Sequence, residues 1–120
     1  MSLEFAIMVC HRPDNTLMAR HAVTFAERAL ALGNTVNCVF FYGPGAAIAL
    51  DPVLLSRDEF DPGERWQTLA KTGDLDLAVC VGSGERYGTV EETLADGFVI
   101  TGLGRWLAAV AQADRVVRFS

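Results

Sequence analysis

A small parallel α/β sheet sandwiched by helices is the fold class this sequence predicts, on three observations. Short runs of consecutive apolar residues, Phe5 to Val9 and Leu77 to Val81 among them, have the length and make-up of strands buried on both faces. Longer stretches between them repeat apolar residues at helical spacing. Glycine, proline, aspartate or asparagine punctuates nearly every junction. Strands alternating with helices imply a mostly parallel sheet with right-handed crossovers, as in flavodoxin-like and Rossmann-like three-layer folds.

In chain order, Glu4 to Cys10 is the first predicted strand. His11-Arg12-Pro13-Asp14 breaks it, and Asn15 or Thr16 can cap the helix that follows. Met18, Ala22, Phe25, Ala26, Ala29 and Leu30 give that helix its apolar stripe, and Gly33 stops it. Thr35 to Tyr42 is the second strand. Gly43-Pro44-Gly45 closes it, and a helical turn is expected over Ala46 to Leu50. Val53 to Phe60 reads as irregular. Asp61 caps the next helix, with Pro62 at a first position that tolerates proline. Trp66, Leu69 and Ala70 are its stripe and Gly73 its stop. The strand Leu77 to Val81 follows. Gly82-Ser83-Gly84 reads as a loop ending that strand, and Glu85-Arg86 as the start of a short helical turn closed by Gly88. Thr89 to Leu94 is a short helix or a loop, and Phe98 to Thr101 a brief strand. Gly102-Leu103-Gly104 leads into a helix carrying Leu107, Ala108, Val110 and Ala111, and Asp114 to Phe119 is the last strand.

The totals bound the function. A chain of 120 residues predicts one domain, spanning 1–120. Hydrophobic residues make up 51%, enough for a core that needs no staple. Ten Lys and Arg against fifteen Asp and Glu leave a formal charge of −5. That argues against direct contact with a nucleic-acid backbone, which wants a basic face. Three cysteines, Cys10, Cys38 and Cys80, with no CxxC spacing, argue against a disulfide framework or a zinc site. Free thiols fit a reducing compartment, so the expected location is the cytoplasm. Glu4 interrupts the first apolar run, so no signal segment is read there, and no run is long enough for a membrane span.

Cys80 is the candidate nucleophile. It stands near the carboxyl end of a strand, the edge where open α/β sheets collect ligands, with glycines and Arg86 just after it. The backbone N–H groups of Gly82, Ser83 and Gly84, together with the Arg86 guanidinium, are the expected stabilisers of a sulfur anion. Cys38 lies among Val36, Val39 and Phe40 and reads as a buried small hydrophobe. Cys10 is either core filler, the commoner use, or a thiol whose pKa His11 and Arg12 lower. Gly82 to Gly88 mimics a nucleotide-binding glycine pattern, but outside the first strand–helix unit and without a convincing acidic residue on the next strand. His11 and His21 have no partners at metal spacing, and Ser83 is in no GxSxG elbow. No metal and no organic cofactor is expected. Asp58, Glu59 and Asp61 read as a solvated acidic loop, and Trp66 and Trp106 as core or subunit contacts.

Over nearly its whole length the chain resembles the DsrE/TusD sulfur-relay family, nearest the TusD type. The resemblance is carried by Phe40-Phe41-Tyr42 with Gly45, by Asp58-Glu59-Phe60-Asp61 with Arg65-Trp66-Gln67-Thr68-Leu69, and by Val79-Cys80-Val81 with Arg86 and Gly88. Gly102-Leu103-Gly104 and Asp114-Arg115-Val116-Val117-Arg118-Phe119 complete it. The resemblance implies a persulfide carried on Cys80 by thiol–persulfide exchange. It implies a hexamer with related subunits of the TusB and TusC or the DsrF and DsrH type. It also implies a TusA-like sulfur donor and a TusE-like acceptor on a route to tRNA 2-thiouridine, or else sulfur trafficking in sulfur oxidation. Two departures stand beside the cysteine: Tyr87 where the family often has a second basic residue, and the acid Glu85. The rival readings are a binding or scaffold subunit of the same hexamer with an inert Cys80, and a nucleotide-binding module.

Overall fold

The computed structural model describes residues 2–51 and 61–120. The chain runs β1 (Glu4–Val9), α1 (Thr16–Ala31), β2 (Thr35–Phe41), a 3-10 turn (Gly43–Ala49), α2 (Pro62–Gly73), β3 (Leu77–Cys80) and α3 (Val81–Tyr87). A second 3-10 turn (Glu91–Thr93), β4 (Phe98–Thr101), α4 (Leu103–Gln112) and β5 (Arg115–Phe119) complete it. The five strands form one sheet in the order β4-β3-β2-β1-β5. Every pairing in it is parallel. The stretch expected to be irregular, residues 53–60, and with it Asp58 and Glu59, lies outside the described residues. Among the described residues no helix is long and apolar enough to cross a membrane.

The sheet is covered on both faces, which is why its inner strands carry uninterrupted apolar runs. Ile7, Val9, Val39, Phe41, Leu77 and Val79 point to one face, where Ala22, Val23 and Ala26 of α1 and Trp66 of α2 meet them. Ala6, Cys38, Phe40, Ala78 and Cys80 point to the other, under Trp106 and Ala109 of α4. Small residues on α1 let it lie close to the sheet. Its start is held by Asn15, whose side chain accepts from the Met18 N–H at 3.2 Å. Asp61 caps α2 by accepting from the Gly63 N–H at 3.0 Å, with Pro62 in the first turn.

Three expectations need correction. The left-handed residue that ends α2 is Asp74, at φ 51°; Gly73 is still helical. Helix α4 turns Trp106 and Ala109 inward, while Leu107 is 61% exposed and Ala108 and Ala111 face outward with it. The Trp106 ring stacks on Phe40 at 5.8 Å, and that large contact sets the rotation of a helix whose small apolar residues fit either side. Most consequential, β3 ends at Cys80 and α3 begins at Val81, so Gly82-Ser83-Gly84 is the first part of a helix rather than a loop.

His11 is almost fully buried just beyond β1. Its Nδ1 lies 3.0 Å from the Arg12 carbonyl, and its Nε2 is buried without a hydrogen-bond partner among the described residues. Burial holds its pKa below the usual 6.5, only partly offset by the bond to Arg12. The unfolded chain therefore takes up a proton that the native state resists. The neutral ring's contribution is complete above about pH 6.5 and is lost as the pH falls below that value. The urea midpoint is expected to drop between about pH 7 and about pH 5, and His11→Asn to flatten that drop.

Candidate functional site

Cys80 occupies the position where an extended strand turns directly into a helix. It is the N-cap of α3, with φ −64° and ψ 125°, and its side chain makes no capping hydrogen bond. The N–H groups of Gly82 and Ser83, second and third in the helix, are those that an N-cap acceptor reaches. Cys80 is 8% exposed. Behind it lie Ala78, Phe40 and Trp106. In front opens a recess of about 310 Å³ lined by Tyr42, Gly43, Cys80, Gly82, Ser83, Arg86 and Tyr87.

Two clamps hold this recess. The Gly43 N–H donates to Ser83 Oγ at 2.8 Å, tying the turn after β2 to α3. Thr89, itself buried, donates through Oγ1 to the Ala46 carbonyl and through its N–H to the Gly84 carbonyl, both at 2.8 Å. Gly45 is required here for close approach: a Cβ on it would lie 2.1 Å from the Val9 carbonyl oxygen. Tyr42 forms one wall, stacked on Phe40 at 6.3 Å. Arg86 is exposed and, among the described residues, makes no ion pair, so its guanidinium is available to an anion in the recess.

The structure thus brings Cys80, Gly82, Ser83 and Arg86 together. Gly84 does something else. It is buried and absent from the lining, and a Cβ there would lie 2.3 Å from the Thr89 carbonyl oxygen. Fourth in the helix, its N–H also belongs to the helical ladder. Its missing side chain therefore serves packing, and the glycine pattern needs no nucleotide to explain it. Glu85 faces away from the recess, toward Val81 and Thr89. Tyr42, Gly43 and Tyr87 were not singled out as site residues from the sequence. The signal for Tyr42 was its place one residue past β2, which becomes a site position only once β2 is known to lie beside β3.

The other thiols differ. Cys38 is fully buried and its pKa is pushed up to about 11, chiefly by burial. Cys10 is half-buried and its pKa is also raised, by burial first. The cation that partly offsets this is Arg118 on the neighbouring strand, not His11 or Arg12, so the alternative reading of a thiol lowered by those two does not hold. Val9, Phe41 and Val79 share one row of the sheet, so Cys10, Tyr42 and Cys80 continue it. Two strand spacings, about 10 Å, separate the cysteines, beyond the reach of a disulfide without backbone movement. Alkylation at neutral pH is expected to modify Cys80 first, Cys10 more slowly and Cys38 only on unfolding. Peptide mapping over a time course reads that order, and a leading Cys10 signal would contradict it.

Comparison with known proteins places this geometry. The DsrE/DsrF-like family model matches residues 4–119. A protein named sulfurtransferase TusD homolog from Aliivibrio fischeri is 35% identical, over 99% of this chain and 100% of its own. Sulfurtransferase TusD of an Enterobacter species is 34% identical over 98% of this chain and 100% of its own. A TusD homolog from Vibrio parahaemolyticus is 38% identical over 98% of both. Among solved structures, the ychN protein of E. coli superposes with a TM-score of 0.73 at 15% identity, covering 99% of this chain and 100% of its own. A protein of unknown function from Methanobacterium thermoautotrophicum gives 0.75 at 13%, covering 98% and 99%. Identities that low speak for the fold alone.

Proposed function

The chain belongs to the DsrE/DsrF-like family, and from that premise we propose that it is a sulfurtransferase subunit of a sulfur relay whose carrier is Cys80. The observation that carries the assignment is the recess: Cys80, though less exposed than Cys10, borders a recess that it shares with Gly82, the Ser83 hydroxyl and Arg86, whose guanidinium makes no ion pair among the described residues. In the first half-reaction the Cys80 thiolate attacks the outer sulfur of a donor persulfide. A bond forms between Sγ and that sulfur, the donor's S–S bond breaks, and the donor departs as a thiolate. In the second, an acceptor thiolate attacks the outer sulfur of the Cys80 persulfide, and Cys80 leaves as a thiolate. Each sulfur arriving as a persulfide leaves as one, with no net oxidation.

Gly82 and Ser83 N–H groups at the helix start, with Arg86, favour the anion in both half-reactions. The relatives are named sulfurtransferase TusD, and the relay proposed here runs toward tRNA 2-thiouridine, with a TusA-like donor and a TusE-like acceptor, as the resemblance to the TusD type implies. The chain's own charge of −5 fits delivery through proteins rather than direct contact with RNA. A hexamer with related subunits would cover the outward apolar residues Leu103 and Leu107 of α4, 47% and 61% exposed, and Val116 of the edge strand β5, 51% exposed.

The test is loading. Incubation with a small-molecule persulfide is expected to add one sulfur atom, located by peptide mass mapping to the fragment holding Cys80. Arg86→Gln is expected to slow that loading by about tenfold, a modest effect for an exposed cation. Sulfur mapped to Cys10 or Cys38 instead defeats the assignment.

A further inference from the structure

Helix α3 has two working sides. Gly82 and Arg86, four residues apart, face the Cys80 recess. Val81 and Glu85, also four apart, face a second groove of about 220 Å³ on the other side. Its apolar surface comes from Val81, Val90 and Ile100, and Val81 is 45% exposed. Its acids are Glu85, Glu91 and Glu92, all exposed and, among the described residues, in no ion pair. Three carboxylates around an aliphatic surface, on a chain of charge −5, favour a cation there. Arg86, about 100° round the helix from Glu85, lines the Cys80 recess instead.

We propose that this groove docks the protein that exchanges sulfur with Cys80, by receiving a basic and aliphatic segment beside that partner's reactive cysteine. The inference rests on the reading that Cys80 carries sulfur, and adds the chemistry of its partner. Charge complementarity commits the occupant. An anionic sulfur enters the recess toward Arg86, while lysine or arginine meets the three glutamates and an aliphatic side chain covers Val81 and Ile100. The two sides are separated by the width of one helix, about 10 Å. An extended chain spans that in roughly three residues. The basic residue therefore lies about three positions from the partner's cysteine. Attraction of this kind acts on encounter and register more than on the chemistry itself, and it weakens with salt.

Cysteine peptides of matched length test this, with lysine, glutamine or glutamate three positions from the thiol beside a leucine. The protein is first loaded at Cys80 with a small-molecule persulfide, and the rate of sulfur transfer to each peptide is followed by mass spectrometry. The lysine peptide is expected to accept about tenfold faster than the glutamate peptide at low ionic strength, with glutamine between and the spread shrinking as salt is added. The triple variant Glu85→Gln, Glu91→Gln, Glu92→Gln is expected to lose the lysine preference while loading from the small molecule as fast as the native protein. Equal rates for the three peptides, a preference for glutamate, or a lysine preference that survives the triple variant overturns the docking groove and leaves the carrier reading intact. Failure of the native protein to load at Cys80 removes the carrier reading, and the groove falls with it.

Discussion

Cys80→Ser is expected to reduce sulfur loading to background while leaving the fold in place. Serine matches cysteine closely in shape, and the site is not a dry interior: Cys80 borders an open recess in which a hydroxyl finds N–H partners. The loss is therefore chemical. A serine oxygen at neutral pH is a poor nucleophile without an adjacent base, and among the described residues the recess lining holds no histidine or carboxylate to act as one. Neither remaining thiol is expected to substitute. Cys38 is sealed between the sheet and α4 with its pKa at about 11. Cys10 stands across Tyr42, about 10 Å away, and burial disfavours its thiolate. Cys10→Ser should accordingly load normally. Intact-mass measurement of both variants, with thermal unfolding to confirm that each is folded, decides the matter. An undiminished sulfur adduct on Cys80→Ser sinks the carrier assignment, and a loss in Cys10→Ser brings the second thiol into the reaction.

What the sequence made legible follows from which forces are local. β1, β2 and β3 announce themselves because residues buried on both faces come as apolar runs, Phe5 to Val9, Cys38 to Phe41 and Leu77 to Cys80, whatever lies beside them. The caps Asn15 and Asp61 act within three residues of themselves and can be read the same way. On α4, Trp106 reads as a core or subunit contact and is core, but the outward turn of Leu107 and Ala111 could not be read, because they look like core until Phe40 takes Trp106 as its partner. The site was half legible for a related reason. Cys80, Gly82, Ser83 and Arg86 are neighbours in the chain, but Tyr42 and Gly43 join them only through the order of the strands, and Ser83 meets Gly43 across 40 positions. The reading of Gly82-Ser83-Gly84 as a loop also misplaced Glu85. Starting the helix at Val81 fixes its phase, and that phase turns Glu85 and Arg86 about 100° apart, each toward a different cavity.

Gly84→Ala is expected to be the most damaging of the small substitutions near the site, and its neighbour Gly82→Ala among the mildest. In an exposed helix, alanine in place of glycine stabilises by up to about 1 kcal/mol, and neither glycine has a positive φ to forbid it. At Gly82 a Cβ meets nothing within 4 Å, so that gain is available. At Gly84 the added carbon would lie 2.3 Å from the Thr89 carbonyl oxygen, a backbone atom that cannot rotate aside. Thr89 is in turn fixed by its bonds to Ala46 and to Gly84 itself. Relief must come from moving α3 away from the 3-10 turn, which strains the Ser83–Gly43 bond and opens the recess. Overpacking of this kind costs about 1–3 kcal/mol, enough to cancel the propensity gain and leave a net loss. Urea unfolding should therefore separate the two variants by more than about 1 kcal/mol, with Gly84→Ala the weaker. Sulfur loading should slow in Gly84→Ala even under conditions where it is fully folded, because Arg86 and the N–H groups of Gly82 and Ser83 move with the helix. If Gly84→Ala proves as stable and as quickly loaded as Gly82→Ala, the contact with Thr89 does not position the carrier cysteine's surroundings.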